Sequence, residues 1–456
     1  MPLRPLFISL FALPLFAGCG DDASGGGGHG GAVGGSTQGG SAAGGNSQGG
    51  SGGSNQGGDG GSGGTGGGAL GFTSLGGSSY ETQAHLAASS MGDIVVTWIA
   101  VFADGHSAVG YAVSHDSGAS FTAPAYAAAP DDRLSTNPVV AVDSTGRFTL
   151  GWIGFRLDPS NPDEHVYVAR LDPGASTFGA PAIASDDGTA TNLDYDALTI
   201  AVDASDDALL VWSNFTNFSQ GFLPQLLFAK TSDGATFTRT AIVSDESFGN
   251  LPALCVDSTA PASPLYVVHL GATGTLTARR SVDHGATWEL LPATPAATAV
   301  FQRPSCVVAG NSLRVAYGSG DAPFSATDDS PADAIMVMSS ANGGSTWAAP
   351  VSVTEPGVDQ YLFPRFARSP DGKLEIAYYQ GVVDAPATFM HASSKSGSAW
   401  TRAPIAPAGT FTTDLVLASW LGGYVGVSAP GATGFVAYAE NTQNKTHIAF
   451  AEIALP

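Results

Sequence analysis

A short pattern recurs along this chain and restricts the folds that are open to it. Its clearest copy spans residues 281–288, SVDHGATW, and follows the consensus S-x-D-x-G-x-[ST]-[WF]. Asp283 can accept hydrogen bonds from the backbone N–H groups that follow it, and Gly285 tolerates a positive φ. An apolar strand precedes the pattern, and Trp288 closes it. The pattern therefore predicts a hairpin turn that is held by a carboxylate and anchored by an aromatic ring.

Other copies of this turn motif lie on both sides of the first, three of them clear and two degenerate. The residues that correspond to Asp283 are Asp116, Asp233 and Asn342 in the clear copies, and the degenerate copies lie at 172–178 and 395–400. The anchoring aromatic residues are Phe121, Phe178, Phe237, Trp288, Trp347 and Trp400. Their spacing averages roughly 55 residues, a period typical of a propeller or solenoid unit.

These copies resemble the Asp-box (BNR) repeats of the sialidase-like β-propeller superfamily. The resemblance covers most of the chain beyond about residue 70. It implies the architecture rather than an activity, because Asp boxes in that superfamily lie at outer hairpins, away from the central pocket. The resemblance therefore assigns a structural role to Asp116, Asp233 and Asp283, and to Asn342 at the same position.

The repeat predicts an all-β fold made of four-stranded blades. Each unit shows an opening strand, a second strand that ends on an aromatic residue or His269, a third strand that leads into the turn motif, and a fourth strand that leaves it. The opening strands lie near His85, Val140, Thr199, Leu254, Cys306, Phe366 and Leu417. This count predicts seven blades; the alternative is six, with one unit misassigned.

The seventh unit lacks a turn motif and a fourth strand, whereas residues 71–74, GFTS, stand alone before the first unit. This segment is similar to residues 120–123, SFTA, which leave the first turn motif. We therefore expect the N-terminal strand to complete the last blade, since closing the ring hides edges that would otherwise pair with other chains.

The N-terminus carries an export signal. Arg4 precedes an apolar run, residues 5–16, that is too short to span a bilayer. Residues 15–19, LFAGC, resemble a bacterial lipobox, which implies that Cys19 is lipidated and becomes the first mature residue; the alternative is an ordinary signal peptide. Residues 20–69 are rich in Gly and Ser and are expected to form a flexible tether with a reach on the order of 40 Å. Residues 70–456 then form the propeller domain.

Composition agrees with export, and we expect a monomer that is attached to the membrane of the cell envelope through its lipid anchor alone. The formal net charge of −22 argues against nucleic acid and against charge-driven adhesion to anionic lipid. Two further cysteines, Cys255 and Cys306, lie in neighbouring opening strands. An exported protein permits a disulfide between them; two buried thiols are the alternative.

Candidate site residues follow from what the resemblance demands. Sialidases bind the substrate carboxylate with three arginines, use a Tyr paired with a Glu as the nucleophile and an Asp as acid/base. The usual first arginine is missing here, since only Arg4 precedes residue 133. Tyr361 and Glu375 are the catalytic candidates. The ligand-binding candidates near strand entries are Arg303, Arg365, Asn137, Asp196 and Asn250, with Asp194, Asp414 and Glu81 in similar positions. The alternative is that all of these are ordinary loop and rim residues.

Motifs for other chemistries are missing. The sequence contains no H-E-x-x-H zinc motif, no G-x-S-x-G elbow and no P-loop. No cofactor is expected, although Asp328, Asp329 and Asp333 could bind Ca²⁺; a solvated loop is the alternative. The incomplete arginine set favours a non-catalytic module that binds a glycan or a protein at the axial face of the propeller. The alternatives are a diverged exo-sialidase-type glycoside hydrolase and a purely structural lipoprotein.

Overall fold

The computed structural model describes fifteen stretches of the chain. They are residues 70–72, 80–127, 133–156, 163–186, 193–243, 249–260, 264–271, 273–296, 298–320, 331–355, 357, 359–382, 385–411, 424–442 and 445–455. The predictions for the export signal, for Cys19 and for the tether therefore lie outside the described residues. So do those for Asp328, Asp329 and Asp414.

Seven blades of antiparallel strands form the fold. Blade 1 contains β2 (Tyr80–Ala88), β3 (Ile94–Val101), β4 (Ser107–Ser114) and β5 (Ala125–Ala127); blade 2 contains β6 (Leu134–Val142), β7 (Phe148–Phe155), β8 (His165–Leu171) and β9 (Ala182–Ile183); blade 3 contains β10 (Tyr195–Val202), β11 (Ala208–Asn214), β12 (Gln225–Thr231) and β13 (Thr238–Val243). Blade 4 contains β14 (Asn250–Cys255), β15 (Leu265–Leu270), β16 (Leu276–Ser281) and β17 (Glu289–Leu290); blade 5 contains β18 (Ser305–Ala309), β19 (Ser312–Ser319), β20 (Ala334–Ser340) and β21 (Val351–Ser352). Blade 6 contains β22 (Gln360–Arg368), β23 (Leu374–Gly381), β24 (Ala385–Ser394) and β25 (Thr401–Phe411); blade 7 contains β26 (Gly426–Ser428), β27 (Thr433–Thr442), β28 (Lys445–Ala454) and β1 (Leu70–Phe72).

Blade 7 closes the ring with a strand from the other end of the domain. Strand β1 pairs antiparallel with β28, so that Gly71 lies opposite Ala449 and Phe72 opposite Ile448. This confirms the predicted closure and the seven blades, and the six-blade alternative is wrong. The opening strand predicted near Leu417 falls outside the described residues; the described inner strand of this blade is β26, several residues later.

The second strand of every blade is buried because a neighbouring blade covers each of its faces. Its aromatic residue, or His269 in blade 4, is at most 4% exposed. These residues are Trp98, Trp152, Trp212, His269, Tyr317, Tyr378 and Tyr438. Burying a large apolar side chain contributes about 1.5–3 kcal/mol. The repeated aromatic residue therefore stabilises the packing between blades, and its burial keeps it from contacting a ligand at the surface.

The turn motifs form the hairpins between the third and fourth strands. In the copy at 281–288, Asp283 accepts hydrogen bonds from the Thr287 N–H at 2.8 Å, the Thr287 hydroxyl at 2.5 Å and the Ser281 hydroxyl at 2.8 Å. Ser281 Oγ in turn accepts the Gly285 N–H at 2.8 Å. These donors lower the pKa of Asp283 to about 2. The motif is thus a self-sufficient hydrogen-bonded turn.

The other three clear copies repeat this arrangement around Asp116, Asp233 and Asn342. Hydrogen bonds from Ser120 and Thr236 hold the pKa of Asp116 and of Asp233 below its usual value. Asn342 receives the Thr346 N–H at 2.9 Å through its amide oxygen. An amide therefore replaces the carboxylate in this turn without loss of the pattern.

A disulfide joins Cys255 at the end of β14 to Cys306 in β18, with the Cα atoms 5.6 Å apart. It links the inner strands of blades 4 and 5, whose chain positions are separated by 51 residues. Of the two alternatives that the sequence left open, the structure has the bonded one.

Candidate axial site

A shared backbone irregularity shapes the inner strands where they enter the blades. In five of them the ladder register shifts and one residue adopts a positive φ, as a β-bulge requires. These bulge residues are Gln83, Asn137, Ala197, Leu251 and Phe363. Arg303, two residues before β18, occupies the corresponding position of blade 5. The bulges interrupt regular pairing near the axis, so side chains of different blades meet there.

Arg303 connects three blades across the ring. Its Nη1 donates to the carbonyl oxygen of Leu198 in blade 3 at 2.6 Å. Its Nη2 donates to the hydroxyl of Tyr424, two residues before β26, at 2.6 Å, and the guanidinium carbon lies 4.4 Å from the centre of that ring. Tyr424 donates in turn to the side-chain oxygen of Asn137, whose amide nitrogen donates to Asp196 at 2.9 Å. Arg303 therefore lies in the middle of the ring and is 8% exposed.

Arg365 is the second axial cation. It lies two residues after the bulge of blade 6, is partly exposed, and its Nη2 lies 2.8 Å from Nε2 of His85 in blade 1. Burial and the charge of Arg303 lower the pKa of Arg365 to about 10. Among the described residues, no carboxylate lies within 4 Å of either guanidinium. Among the described residues, the two axial guanidinium groups therefore have no carboxylate in direct contact, an arrangement that favours binding of an anion.

A small pocket opens at this point. It has a cavity volume of about 10 Å³, roughly the space of one water molecule, and is partly open to solvent. The residues that line this axial pocket are Arg303, Pro304, Phe363, Pro364, Arg365, Tyr424 and Val425. Apolar side chains and prolines thus surround two guanidinium groups and one phenol in this pocket.

Three carboxylates stand on the other side of the same cluster. Glu164 accepts the Tyr195 N–H at 2.5 Å, and Asp196 is held by Asn137. Burial, and then the charge of Asp196, raises the pKa of Asp194 to about 6. Burial also raises the pKa of Glu164 and of Asp196, and the charge of Asp194 adds to the effect on Glu164. All three are partly exposed, so the site has a basic and an acidic side.

The two catalytic candidates do not meet. Tyr361 is 3% exposed, packs edge-on against Tyr378 and donates its hydroxyl to the backbone of Glu355. Glu375 is fully buried and bonded to His391 at 2.6 Å. In the β22–β23 ladder, Tyr361 pairs with Gln380, five residues from Glu375. Tyr361 and Glu375 therefore lie at opposite ends of one blade and do not form the Tyr–Glu pair that the resemblance implies.

The other predictions divide into two groups. The structure brings Arg303, Arg365, Asn137 and Asp196 together at the axis. Asn250 is 1% exposed and accepts bonds from Ser213 and from the Leu251 N–H, so it caps its own bulge and does not line the pocket.

Glu81 belongs to the contact between blades 1 and 7. It is 1% exposed and accepts the Ile448 N–H at 3.3 Å. Burial raises the pKa of Glu81 to about 7. Its interaction is with the ring closure and not with the pocket.

Sequence reasoning missed Tyr424, His85 and Glu164. Tyr424 lies two residues before β26, as Arg303 lies two residues before β18, so both stand at strand entries; the seventh opening strand was expected near Leu417, which concealed this. His85 was predicted to lie in the first opening strand, but no role at the axis was predicted for it. Its contact with Arg365 joins residues that are far apart in the chain, and nothing in the local pattern signals it.

The described part of the chain shows no group of three His, Cys, Asp or Glu side chains placed to hold a metal ion. Nor does that part contain a helix with the length and apolarity needed to cross a membrane.

Comparisons with known proteins add the fold and little else. No protein-family model matches this chain, and no curated protein matches its sequence. Among solved structures, a Dyadobacter fermentans protein of unknown function aligns with a TM-score of 0.51 and 13% identity over 83% of this chain and 95% of the other. At this identity the similarity shows the fold alone.

Two sialidases align more loosely. A Hadza microbial sialidase has a TM-score of 0.46 and 14% identity, and the match covers 82% of this chain and 66% of the other. The Trypanosoma rangeli sialidase has a TM-score of 0.47 and 12% identity, over 82% and 55%. Similarity at this level carries no argument about what the present chain does.

Proposed function

We propose that this protein is an exported lipoprotein, anchored through Cys19 and extended by residues 20–69, whose propeller binds an anionic group of a glycan at the axial pocket without cleaving it. The observation that carries the proposal is the pair of axial arginines. Arg303 and Arg365 lie in a pocket and have no carboxylate within 4 Å among the described residues.

The cost of burying a charge explains why this pair points to a ligand. An unpaired buried cation destabilises a fold by several kcal/mol unless hydrogen bonds or a counter-ion offset the loss of water. Among the described residues, Arg303 has a carbonyl and a phenol as partners, whereas Arg365 has the ring of His85. An arriving carboxylate can accept two parallel N–H bonds from a guanidinium, the geometry that arginine offers best.

The acidic side of the site favours a glycan over a protein ligand. Partly exposed carboxylates accept hydrogen bonds from neutral hydroxyl groups, and a sugar presents several of these close together. Asp194 and Glu164 supply such acceptors in the cluster that contains Arg303. A sugar acid would place its carboxylate on the arginines and its hydroxyls toward Asp194.

Tyr424 supports binding without cleavage. A tyrosine nucleophile needs an adjacent base to take its proton. Here Arg303 donates to the Tyr424 hydroxyl, which donates to the amide oxygen of Asn137, and an amide is not a base. Burial raises the pKa of Tyr424 far above its usual value. The phenol therefore acts as a fixed hydrogen-bonding group.

The test is a titration of the purified propeller with D-glucuronate and with D-glucose, followed by calorimetry. Glucuronate should bind and glucose should not. Arg365→Gln should weaken glucuronate binding roughly ten- to hundredfold, as expected for losing a charge-assisted hydrogen bond. Arg402→Gln, at an arginine that pairs with the exposed Glu355, is the matched control and should bind normally. Equal binding of both sugars, or preferential binding of acidic peptides, would contradict the glycan proposal.

The second candidate is a diverged glycoside hydrolase of the sialidase type. One observation favours it: the pKa of Asp194 is raised to about 6, near the range of a general acid. A fluorogenic sialoside decides between the two. Turnover above background that is lost in Asp194→Asn and kept in Arg402→Gln would establish the hydrolase, whereas the binding module predicts no turnover in any variant.

A further inference from the structure

A serine, a histidine and an aspartate lie in line where blades 1 and 2 meet, at the ends of the blades opposite to the strand entries. His115 belongs to the turn motif of blade 1, and Asp93 directly precedes β3. Asp93 Oδ1 lies 2.9 Å from His115 Nδ1, and Oγ of Ser176 in blade 2 lies 3.2 Å from His115 Nε2. The contacts follow the order of a Ser-His-Asp triad, which is recognised by geometry rather than by position in the sequence.

The aspartate determines which nitrogen of the ring carries the proton. An ionised carboxylate only accepts hydrogen bonds, so Asp93 takes the Nδ1–H of His115. In the neutral ring Nε2 then carries a lone pair, and it accepts the hydroxyl proton of Ser176. A histidine in this state is a general base for a serine nucleophile. Both His115 and Ser176 are exposed, so a reagent in solvent can reach them.

Ser176 differs from its counterparts in the clear turn motifs. It follows Asp172 by four residues, as Thr287 follows Asp283. The hydroxyl of Thr287 donates to Asp283 at 2.5 Å and is thereby fully occupied. In the degenerate copy at 172–178, the Asp172 carboxylate instead receives Arg147 Nε at 3.2 Å, and the Ser176 hydroxyl is directed to His115. The degenerate copy therefore has a serine that is no longer used by its own turn.

Two further features fit a reaction at Ser176. The N–H of Thr287 donates to Asp283, whereas the N–H of Ser176 makes no hydrogen bond to the residues that the structure describes. That N–H can donate to an oxyanion that forms beside Oγ, as the N–H of a nucleophilic serine does in a triad. Met91 is 59% exposed and extends from blade 1 to the neighbourhood of Pro173, three residues before Ser176. It offers an apolar surface for an acyl group.

We infer that Ser176, His115 and Asp93 form a second site of the protein, a hydrolytic one that accepts small, unhindered carboxylic esters. Ser176 is the nucleophile and His115 the general base, and both are catalytic residues. Asp93 is a positioning residue, since it contacts the imidazole alone. The inference goes beyond the proposed function and does not depend on it, because this site shares no residue with the axial pocket.

The reaction has two balanced halves. Ser176 Oγ attacks the ester carbonyl carbon while its proton passes to His115 Nε2, and the carbonyl oxygen becomes the oxyanion. The bond to the leaving oxygen then breaks, and Nε2–H protonates that oxygen, so that an alcohol departs and an acyl-serine remains. A water molecule next gives a proton to Nε2 and attacks the acyl carbon. The carboxylic acid leaves, and Ser176 regains its proton.

The experiment combines covalent labelling with turnover. The purified protein is treated with a fluorophosphonate, which forms an Oγ–P bond with loss of fluoride, and the labelled peptide is identified by mass spectrometry. Label should be found on Ser176. Hydrolysis of p-nitrophenyl acetate should fall at least about tenfold in Ser176→Ala and in His115→Gln, the loss expected when a nucleophile or its base is removed. His284→Gln, at an exposed histidine of another turn motif, is the matched control and should keep both activities.

Asp93→Asn tests the positioning role. It should lower kcat and leave KM unchanged, because the carboxylate orients the ring and does not contact the ester. An unchanged kcat would remove Asp93 from the site.

Labelling of the wild-type protein does not depend on how well any variant folds. A wild-type protein that is not labelled on Ser176 overturns the inference, and so does hydrolysis that persists in Ser176→Ala. Equal labelling rates in wild type and in folded His115→Gln would show that no base activates the serine, and the contact between the blades would then be structural only. Failure of glucuronate binding overturns the proposed function alone.

Discussion

The outer hairpins and the axial site place the same kind of side chain in opposite surroundings. Asp283 is surrounded by donors that lie within four residues of it, and its pKa falls to about 2. Asp194, at the axis, is buried near Asp196, and its pKa rises to about 6. Hydrogen bonds from within the motif satisfy the Asp283 carboxylate, whereas Asp194 lies near two other carboxylates, Asp196 and Glu164. The hairpin carboxylates thus have their hydrogen bonds within the motif. At the axis, the guanidinium groups of Arg303 and Arg365 have no carboxylate within 4 Å among the described residues.

This contrast separates stability from binding. Changes in the hairpins should lower stability and leave binding intact, and changes at the axis should do the reverse. The residues that test it differ in the size of the expected effect.

The largest effect is expected from Gly285→Ala. Gly285 has a φ of +90°, and a Cβ there would lie 2.2 Å from the ring of Phe228 in the neighbouring blade. Strain and overpacking together should lower the free energy of unfolding by roughly 2–5 kcal/mol, measured in urea. Gly174→Ala is the matched control, because it has a φ of +74° and nothing within 4 Å. A similar loss in both variants would mean that the clash with Phe228 contributes nothing.

Arg365→Gln should leave the free energy of unfolding unchanged or raise it, while it weakens binding of the anion. The physical reason is that the substitution removes a buried charge that has no counter-ion among the described residues. Urea unfolding of this variant and of Arg402→Gln measures the effect. A clear loss of stability in Arg365→Gln alone would show that the guanidinium supports the fold, against the contrast drawn above.

Asp194 should make anion binding depend on pH. Its pKa is raised to about 6, so the group is charged above that pH and neutral below it. A negative charge in the site opposes an arriving anion, and affinity for glucuronate should therefore rise a few-fold as the pH falls from 7.5 to 5.5. Asp194→Asn should bind more tightly at pH 7.5 and show a flatter profile. An unchanged profile in the variant would place the titrating group elsewhere.

Asp283→Asn should have the smallest effect, because Asn342 already forms the same turn with an amide. A carboxylate whose folded pKa is depressed stabilises the protein above its unfolded pKa, and loses this contribution as the pH falls toward about 2. Calorimetric melting temperatures of wild type and variant should differ slightly at pH 7 and converge near pH 2. Divergence at low pH would reverse the assigned sign.

The sequence was a good guide to the fold because the repeat is local. The turn motif uses donors within a few residues of Asp283, and the buried aromatic residue recurs at one place in each second strand, so both are visible in a linear pattern. The ring closure was also visible in the sequence, because residues 71–74 resemble a fourth strand but stand before the first repeat unit. The seventh opening strand, predicted near Leu417, lies outside the described residues.

The axial site was predicted only in part. Arg303, Arg365 and Asn137 were found because each lies near a proline at a strand entry. Tyr424 and His85 were missed, since their partners come from blades that are remote in the chain. Tyr361 occupies a similar entry, yet it packs into a core between blades. The position of a residue at a strand entry therefore predicts that it lies near the axis. It does not predict whether the side chain lines the axial pocket or packs between blades.

Ring closure has a consequence for how the domain is made. Strand β1 is synthesised first and its partner β28 nearly last, so a growing chain holds one sheet incomplete until almost every other blade has appeared. Such long-range pairing is slow. A product cut short within blade 7 would leave open edges on both sides of the gap, ready to join a second molecule or to admit a protease.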